Sequence, residues 1–140
     1  MRRANSGFTL IEVMVVVVIL GILAAIVVPK VMDRPDAARI VKARQDIRAL
    51  ESAMNLYKLD NFNYPSTDQG IQALVSKPGG SPEAKNWNQY MDRLPKDPWG
   101  NDYQYLAPGV NGAIDIFSYG ADGRSGGADS AADIGNWNLQ

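Results

Sequence analysis

Residues 6–29 read SGFTLIEVMVVVVILGILAAIVVP, and this stretch decides the architecture. It is apolar apart from one charge, Glu12, and it follows two arginines, Arg2 and Arg3. About 20 apolar residues are enough to cross a bilayer as a helix. A carboxylate near the bilayer centre costs roughly 2.5–3.5 kcal/mol on insertion scales, so Glu12 needs a compensating partner. Cleavage between Gly7 and Phe8 would supply one. The new Phe8 amine would stand four residues before Glu12, on the same helix face, and could pair with it within one subunit or between neighbours. Glu12 would also lie near the positive end of the helix dipole. A secretory signal has a shorter apolar core with its cleavage site after it, whereas here the helical pattern continues. A plain membrane anchor accounts for the length but gives Glu12 no reason.

Working outward, 140 residues suit one modest domain beside the anchor. The chain has no cysteine and no histidine. That removes disulfides, thiol chemistry and the usual zinc and copper ligands. It also excludes serine–histidine and cysteine–histidine catalysis. Loss of Arg2 and Arg3 with a leader leaves 12 basic against 15 acidic side chains, a net of −3. Such a balance does not suggest a nucleic-acid binder. The Arg2/Arg3 pair predicts a cytoplasmic N-terminus by the positive-inside rule. The chain then reads as a single-pass membrane protein whose remainder should lie on the far side, which for the inner membrane of a Gram-negative cell is the periplasm.

Beyond Pro29, Ile40, Ala43, Ile47, Leu50, Met54 and Tyr57 recur every three or four residues, marking one apolar helix face. One long helix is predicted from Phe8 to about Leu59, interrupted near Pro29 and Pro35. The basic run from Lys30 to Arg48 reads as a solvated helix face near anionic headgroups. Asp60–Pro65, DNFNYP, ends the helix. Ser66 with Gln69 makes a capping box, predicting a short helix from Thr67 to about Lys77. Pro78–Pro82 is a loop, and the segment up to Asp97 has no clear period. Two strands are expected around Tyr103–Tyr105 and Ile114–Ser118, joined by a hairpin at Pro108–Gly112, with a third at Asn136–Leu139. Ile114, Ile116 and Ser118 face one side of the second strand and Asp115, Phe117 and Tyr119 the other. So small a sheet needs the Ile40–Tyr57 stripe to cover its apolar face. The fold class is therefore α+β: a long N-terminal helix packed on a small antiparallel sheet. The expected organisation is a leader at 1–7, a membrane or filament-core helix at 8–29 and a head at 30–140.

The segment Gly120–Gly135, GADGRSGGADSAADIG, carries Asp122, Asp129 and Asp133 among glycines. Carboxylates and free carbonyls in a flexible loop suit a hard cation such as calcium, which takes six to eight oxygens. The EF-hand spacing is missing. A solvated polar loop is the competing reading, because isolated Asp-Gly pairs are usually turns.

Basic residues followed by Gly7-Phe8-Thr9-Leu10-Ile11-Glu12 and an apolar run resemble the N-terminus of a type IV prepilin. The resemblance implies that a prepilin peptidase cuts after Gly7 and methylates Phe8, and that Glu12 is needed to dock the helix into a filament. LDNFNYPS at 59–66, QGIQALV at 69–75, LPKDPWGNDYQY at 94–105, SYGADG and ADIGNW resemble the major pseudopilins of type II secretion systems. This likeness covers nearly the whole chain. It implies one calcium ion in the last loop, held by Asp122, Asp133 and backbone carbonyls including that of Tyr119. Some members carry a second aspartate where this chain has Ala132, which leaves Asp129 or a carbonyl near Ser125 for the remaining position. It implies a structural subunit of a helical pseudopilus that drives folded exoproteins through an outer-membrane channel. The implied partners are further copies of the chain, minor pseudopilins, the prepilin peptidase and an inner-membrane assembly platform. The alternative is a type IV pilus major subunit, although those pilins usually carry a disulfide loop that this cysteine-free chain cannot form. A membrane-tethered enzyme with paired carboxylates and a calcium-dependent binding module are readings from other classes. Both would tolerate Glu12→Ala.

Overall fold

The computed structural model describes residues 6–140, without the side chains of 29–34. Arg2 and Arg3 lie outside the described residues, as does the side chain of Pro29. One helix, α1, runs over Leu10–Asn61. The interruption predicted near Pro29 and Pro35 is absent, and the backbone stays helical through both positions. A proline withdraws one donor from the ladder, and the neighbouring bonds carry the helix past it.

The chain divides into two compact units, with the boundary between Asp36 and Ala37. In the first, no residue of the apolar segment Leu10–Val28 is buried. Its large side chains are half or more exposed, from Val15 at 50 % to Leu10 at 79 %. That much wetted hydrocarbon demands lipid or other protein around it.

In the second unit the stripe predicted on α1 is the core. Ala43, Ile47, Leu50, Met54 and Tyr57 are buried. Against them lie Tyr103, Tyr105, Ile114, Ile116 and Ile134, from the strands of an antiparallel sheet and the residues beside them. Its strands are β1 (Gln104–Leu106), β2 (Asp115–Ser118) and β3 (Ile134–Gly135), in the order β1-β2-β3. Tyr105 pairs with Ile116, and Ser118 with Ile134. The side-chain period of two thus turns Ile114, Ile116 and Ser118 inward, as expected. The outer face departs from expectation at Asp115, which is only 2 % exposed. The hairpin loop folds back over it, and its carboxylate accepts from the Val110 N–H at 2.7 Å and from the Asn111 N–H and side-chain amide, both at 3.1 Å.

The third strand falls earlier than predicted, at Ile134–Gly135 rather than Asn136–Leu139. At Asn136 the backbone N–H still donates to the Ile116 carbonyl at 3.0 Å, and the side chain adds two further bonds. Its Oδ1 accepts from the Ile116 N–H at 3.1 Å, and its Nδ2 donates to the Ile114 carbonyl at 3.0 Å. The chain then turns, with the Asn138 N–H on the Gly135 carbonyl.

The helix predicted from Thr67 is likewise shorter, a 3-10 turn over Ile71–Leu74. The capping box does form: the Ser66 N–H donates to Gln69 Oε1 at 2.9 Å, and the Gln69 N–H donates to Ser66 Oγ at 3.2 Å. Gly70 then turns to φ 63°, which ends any α-helical continuation. The aperiodic segment before Asp97 also feeds the core. Ala84 is buried, and Trp87 Nε1 donates to the Ala73 carbonyl at 2.7 Å. Tyr90 packs on Tyr57 with ring centroids 5.4 Å apart, and its hydroxyl donates to Asp60 at 2.9 Å.

Helix α1 closes on Phe62, whose N–H donates to the Lys58 carbonyl at 2.7 Å. Phe62 has φ 67°, the left-handed conformation that glycine or asparagine normally supplies at a helix end. For a residue with a Cβ this costs roughly 1–2 kcal/mol.

Candidate functional site

The start of α1 is a built helix terminus. Thr9 and Glu12 bond reciprocally. The Thr9 N–H donates to Glu12 Oε2 at 3.2 Å, the Thr9 hydroxyl donates to the same oxygen at 3.4 Å, and the Glu12 N–H donates to Thr9 Oγ1 at 3.3 Å. This capping box satisfies donors that the first helical turn would otherwise leave orphaned. It also gives the Glu12 carboxylate a partner within its own chain. Sequence reasoning passed over Thr9, although T-x-x-E before an apolar run is the signal for it. Just upstream, Gly7 and Phe8 are exposed, with Phe8 at 87 %. A Cβ added at Gly7 would meet nothing within 4 Å. Among the described residues, nothing packs against Gly7.

The second cluster is the glycine- and aspartate-rich loop between β2 and β3. Ser118 is fully buried and donates through Oγ to Asp97 Oδ2 at 2.7 Å. The same Oγ accepts from the Gly120 N–H at 3.1 Å. Asp97 itself is 4 % exposed and also accepts from the N–H groups of Trp99 and Asn101 at 3.1 and 2.8 Å. The DPWGN turn and the loop entrance are therefore joined at one carboxylate. Sequence reasoning had not singled out Asp97, and only its place in a tight Asp-Pro-Trp-Gly turn hinted at it. The Tyr119 ring packs on Phe117, which packs on Trp137, at centroid distances of 5.3 and 5.6 Å.

Two 3-10 turns follow, Gly120–Asp122 and Asp129–Ala131. Gly120 at φ 74° is required here: a Cβ would lie 2.7 Å from the Ala132 carbonyl oxygen and 2.9 Å from that of Ser130. Asp122 is exposed and accepts from the Arg124 N–H at 3.0 Å. Ser125 and Asp129 are exposed as well. Asp133 is half-buried: Oδ2 accepts from the Gly126 N–H at 3.0 Å, while Oδ1 is buried with no hydrogen-bond partner among the described residues. No group of three or more acidic side chains converges as a metal cage among the described residues. The three aspartates thus share a loop without sharing a centre. Asp133 Oδ1 nevertheless meets a basic condition for a cation site, because a buried carboxylate oxygen without a donor is costly unless a positive charge compensates it.

An unburied membrane-length helix opening on a capped glutamate, followed by an α+β head, defines a pilin-like subunit. The prokaryotic N-terminal methylation motif matches residues 2–28, and the family described as type II secretion system (T2SS), protein G matches residues 30–137. The chain belongs to that protein G family. It is 64 % identical to the type II secretion system core protein G of Pseudomonas aeruginosa over 97 % of both chains. It is 60 % identical to that of Vibrio cholerae, covering 99 % of this chain and 95 % of the other. A crystal structure of the major pseudopilin from the type 2 secretion system of enterohaemorrhagic Escherichia coli has the same fold. It superposes with a TM-score of 0.67 at 52 % identity, covering 76 % of this chain and 92 % of that one. The chain is accordingly a structural pseudopilin and not an enzyme, and these relatives favour the secretion reading over the pilus alternative.

Proposed function

We propose that the chain is made as a precursor, cut between Gly7 and Phe8 and methylated on Phe8. It is then polymerised as the main subunit of a periplasmic pseudopilus that pushes folded exoproteins through an outer-membrane channel. The observation that carries this reading is the segment Leu10–Val28, apolar and without a buried residue, with Glu12 as its one charge. In the membrane it is an anchor with the N-terminus cytoplasmic and the head periplasmic. In the fibre, identical helices replace lipid around one another. Glu12 then exchanges its bond to Thr9 for the amine of Phe8 on a neighbour, a charge pair far stronger in an apolar core than at the surface. Minor pseudopilins, the prepilin peptidase and an inner-membrane assembly platform are the further partners. The test is a strain carrying Glu12→Ala, which leaves the head folded and is expected to abolish both fibres and secretion. Normal secretion by that strain sinks the reading.

Calcium belongs to the same proposal as a structural ion. Asp133, through its unpartnered Oδ1, and Asp122 are the carboxylate ligands, and the Tyr119 carbonyl is a third. Asp129 or the Ser125 carbonyl completes the set where Ala132 offers no side-chain oxygen. The ion supplies charge compensation and holds the loop closed, and its binding free energy adds to folding.

A further inference from the structure

We propose that Asp97 and Ser118 are positioning residues for the ion of the last loop: neither is a ligand, and together they set the direction of the Tyr119 carbonyl. The inference rests on the calcium reading and deepens it by naming what presets the site.

Asp97 is 4 % exposed, and no ion pair reaches it among the described residues. A buried carboxylate without a cation is costly unless donors surround it. Asparagine could accept the Trp99 and Asn101 N–H bonds that Asp97 Oδ1 accepts, and without that cost. The charge therefore serves the other oxygen. A carboxylate only accepts, so the Ser118 hydroxyl points its hydrogen at Oδ2, 2.7 Å away. The Ser118 oxygen, itself fully buried, keeps its lone pairs for a further donor, the Gly120 N–H at 3.1 Å. The first bond of this chain is charge-assisted, and it polarises the second.

The Gly120 N–H belongs to the Tyr119–Gly120 peptide, which is planar and trans. In such a plane the N–H and the carbonyl point in opposite directions. Holding the N–H on Ser118 thus holds the Tyr119 carbonyl turned away from Ser118. The Tyr119 ring packs on Phe117 at 5.3 Å, which anchors the same residue a second time. The far limb of the loop closes on this point too, because the Ala132 and Ser130 carbonyl oxygens crowd Gly120. Residues 121–129 are exposed, so the buried entrance is what gives the loop a fixed reference. A ligand carbonyl oriented before the ion arrives lowers the ordering cost of binding and raises affinity.

The test is calcium titration calorimetry on chelator-stripped, full-length protein in detergent, at a temperature where each chain is folded. Asp97→Asn keeps an acceptor for the Trp99 and Asn101 N–H groups but sets an amide donor against Ser118, and Ser118→Ala removes the hydroxyl. Each is expected to raise the dissociation constant by about 10–100-fold, the usual effect of losing a group that orients a metal ligand. The double variant should bind no more weakly than the weaker single, because both changes break one chain of bonds. Leu74→Ala, a buried change in the turn Ile71–Leu74, should lower the melting temperature and leave the dissociation constant at the parent value. A second readout needs no substitution. In the stripped parent, the Gly120 amide should exchange with deuterium far more slowly than the exposed Ser125 amide. Parent-level affinity in either folded variant, or a Gly120 amide as fast as that of Ser125, overturns the relay and leaves the ion standing. A parent chain that binds no calcium overturns both.

Discussion

Asp133 shows how much a single oxygen can decide. Oδ2 is satisfied by the Gly126 N–H, and Oδ1 is buried without a donor among the described residues. Asp122 and Asp133 were both legible in the sequence as loop carboxylates, but burial separates them: one is exposed, the other half-buried. Asp133→Ala should therefore abolish any calcium-dependent rise in melting temperature of the full-length protein in detergent, and Asp122→Ala should weaken it. An undiminished rise in Asp133→Ala would place the ion elsewhere. In the core, Ile47 is fully buried against the sheet. Ile47→Ala should cost about 2–5 kcal/mol, read by denaturant unfolding. Tyr103 gives a pH prediction. Burial and its hydrogen bond to Asp46 hold the phenol well above the ordinary tyrosine range. The folded state thus keeps its proton more tightly than the unfolded chain. The resulting stability is complete below the unfolded value near 10 and is lost as pH climbs above it. Melting temperature should be flat from pH 8 to about 9.5 and fall beyond, and Tyr103→Phe should lessen that alkaline fall.

At the scale of elements, periodicity carried the furthest. The spacing from Ile40 to Tyr57 identified the buried face of α1, and alternation identified which side of β2 turns inward. What escaped was set by backbone conformation and by side chains that imitate backbone. Gly70 at φ 63° cut the helix after a correctly read capping box, and the Asn136 side-chain amide bonds the backbone at Ile114 and Ile116 where the third strand was expected to begin. Neither leaves a periodic trace. Pro29 was a misleading signal, because losing one donor did not break the ladder. These backbone requirements rank two substitutions. Gly70→Ala makes only ordinary van der Waals contact, 3.7 Å from the Thr67 carbonyl oxygen, so its cost is the left-handed conformation alone, about 1–2 kcal/mol. Gly120→Ala adds a collision with the Ala132 and Ser130 carbonyls and should cost distinctly more. Equal unfolding midpoints for the two variants would contradict this account of the loop.

For the molecule as a whole, the first 29 residues indicated a prepilin-like subunit, and the head segments at 59–66, 69–75 and 94–105 indicated secretion over a pilus. A span that is entirely apolar except for Glu12 has no use in a soluble head, and the head has a complete core without it. Thr9 was the missing part. It gives Glu12 a local partner before assembly, so the carboxylate can wait at the helix end without an exposed orphan donor beside it. The head adds its own condition on the calcium proposal, since a loop with little apolar burial would be tied down by such an ion. Calcium chelation should therefore lower the melting temperature of full-length protein in detergent and expose Gly120–Gly135 to proteolysis before the rest of the head. Cleavage starting elsewhere would count against a structural ion. The central claim is that the anchor helix polymerises through Glu12. Its most direct test is fibre assembly in cells carrying Glu12→Ala beside the parent, with melting of the purified variant as the control for folding. The account predicts a folded head, intact membrane insertion and no fibres. Fibres at the parent level from a folded Glu12→Ala chain would contradict it.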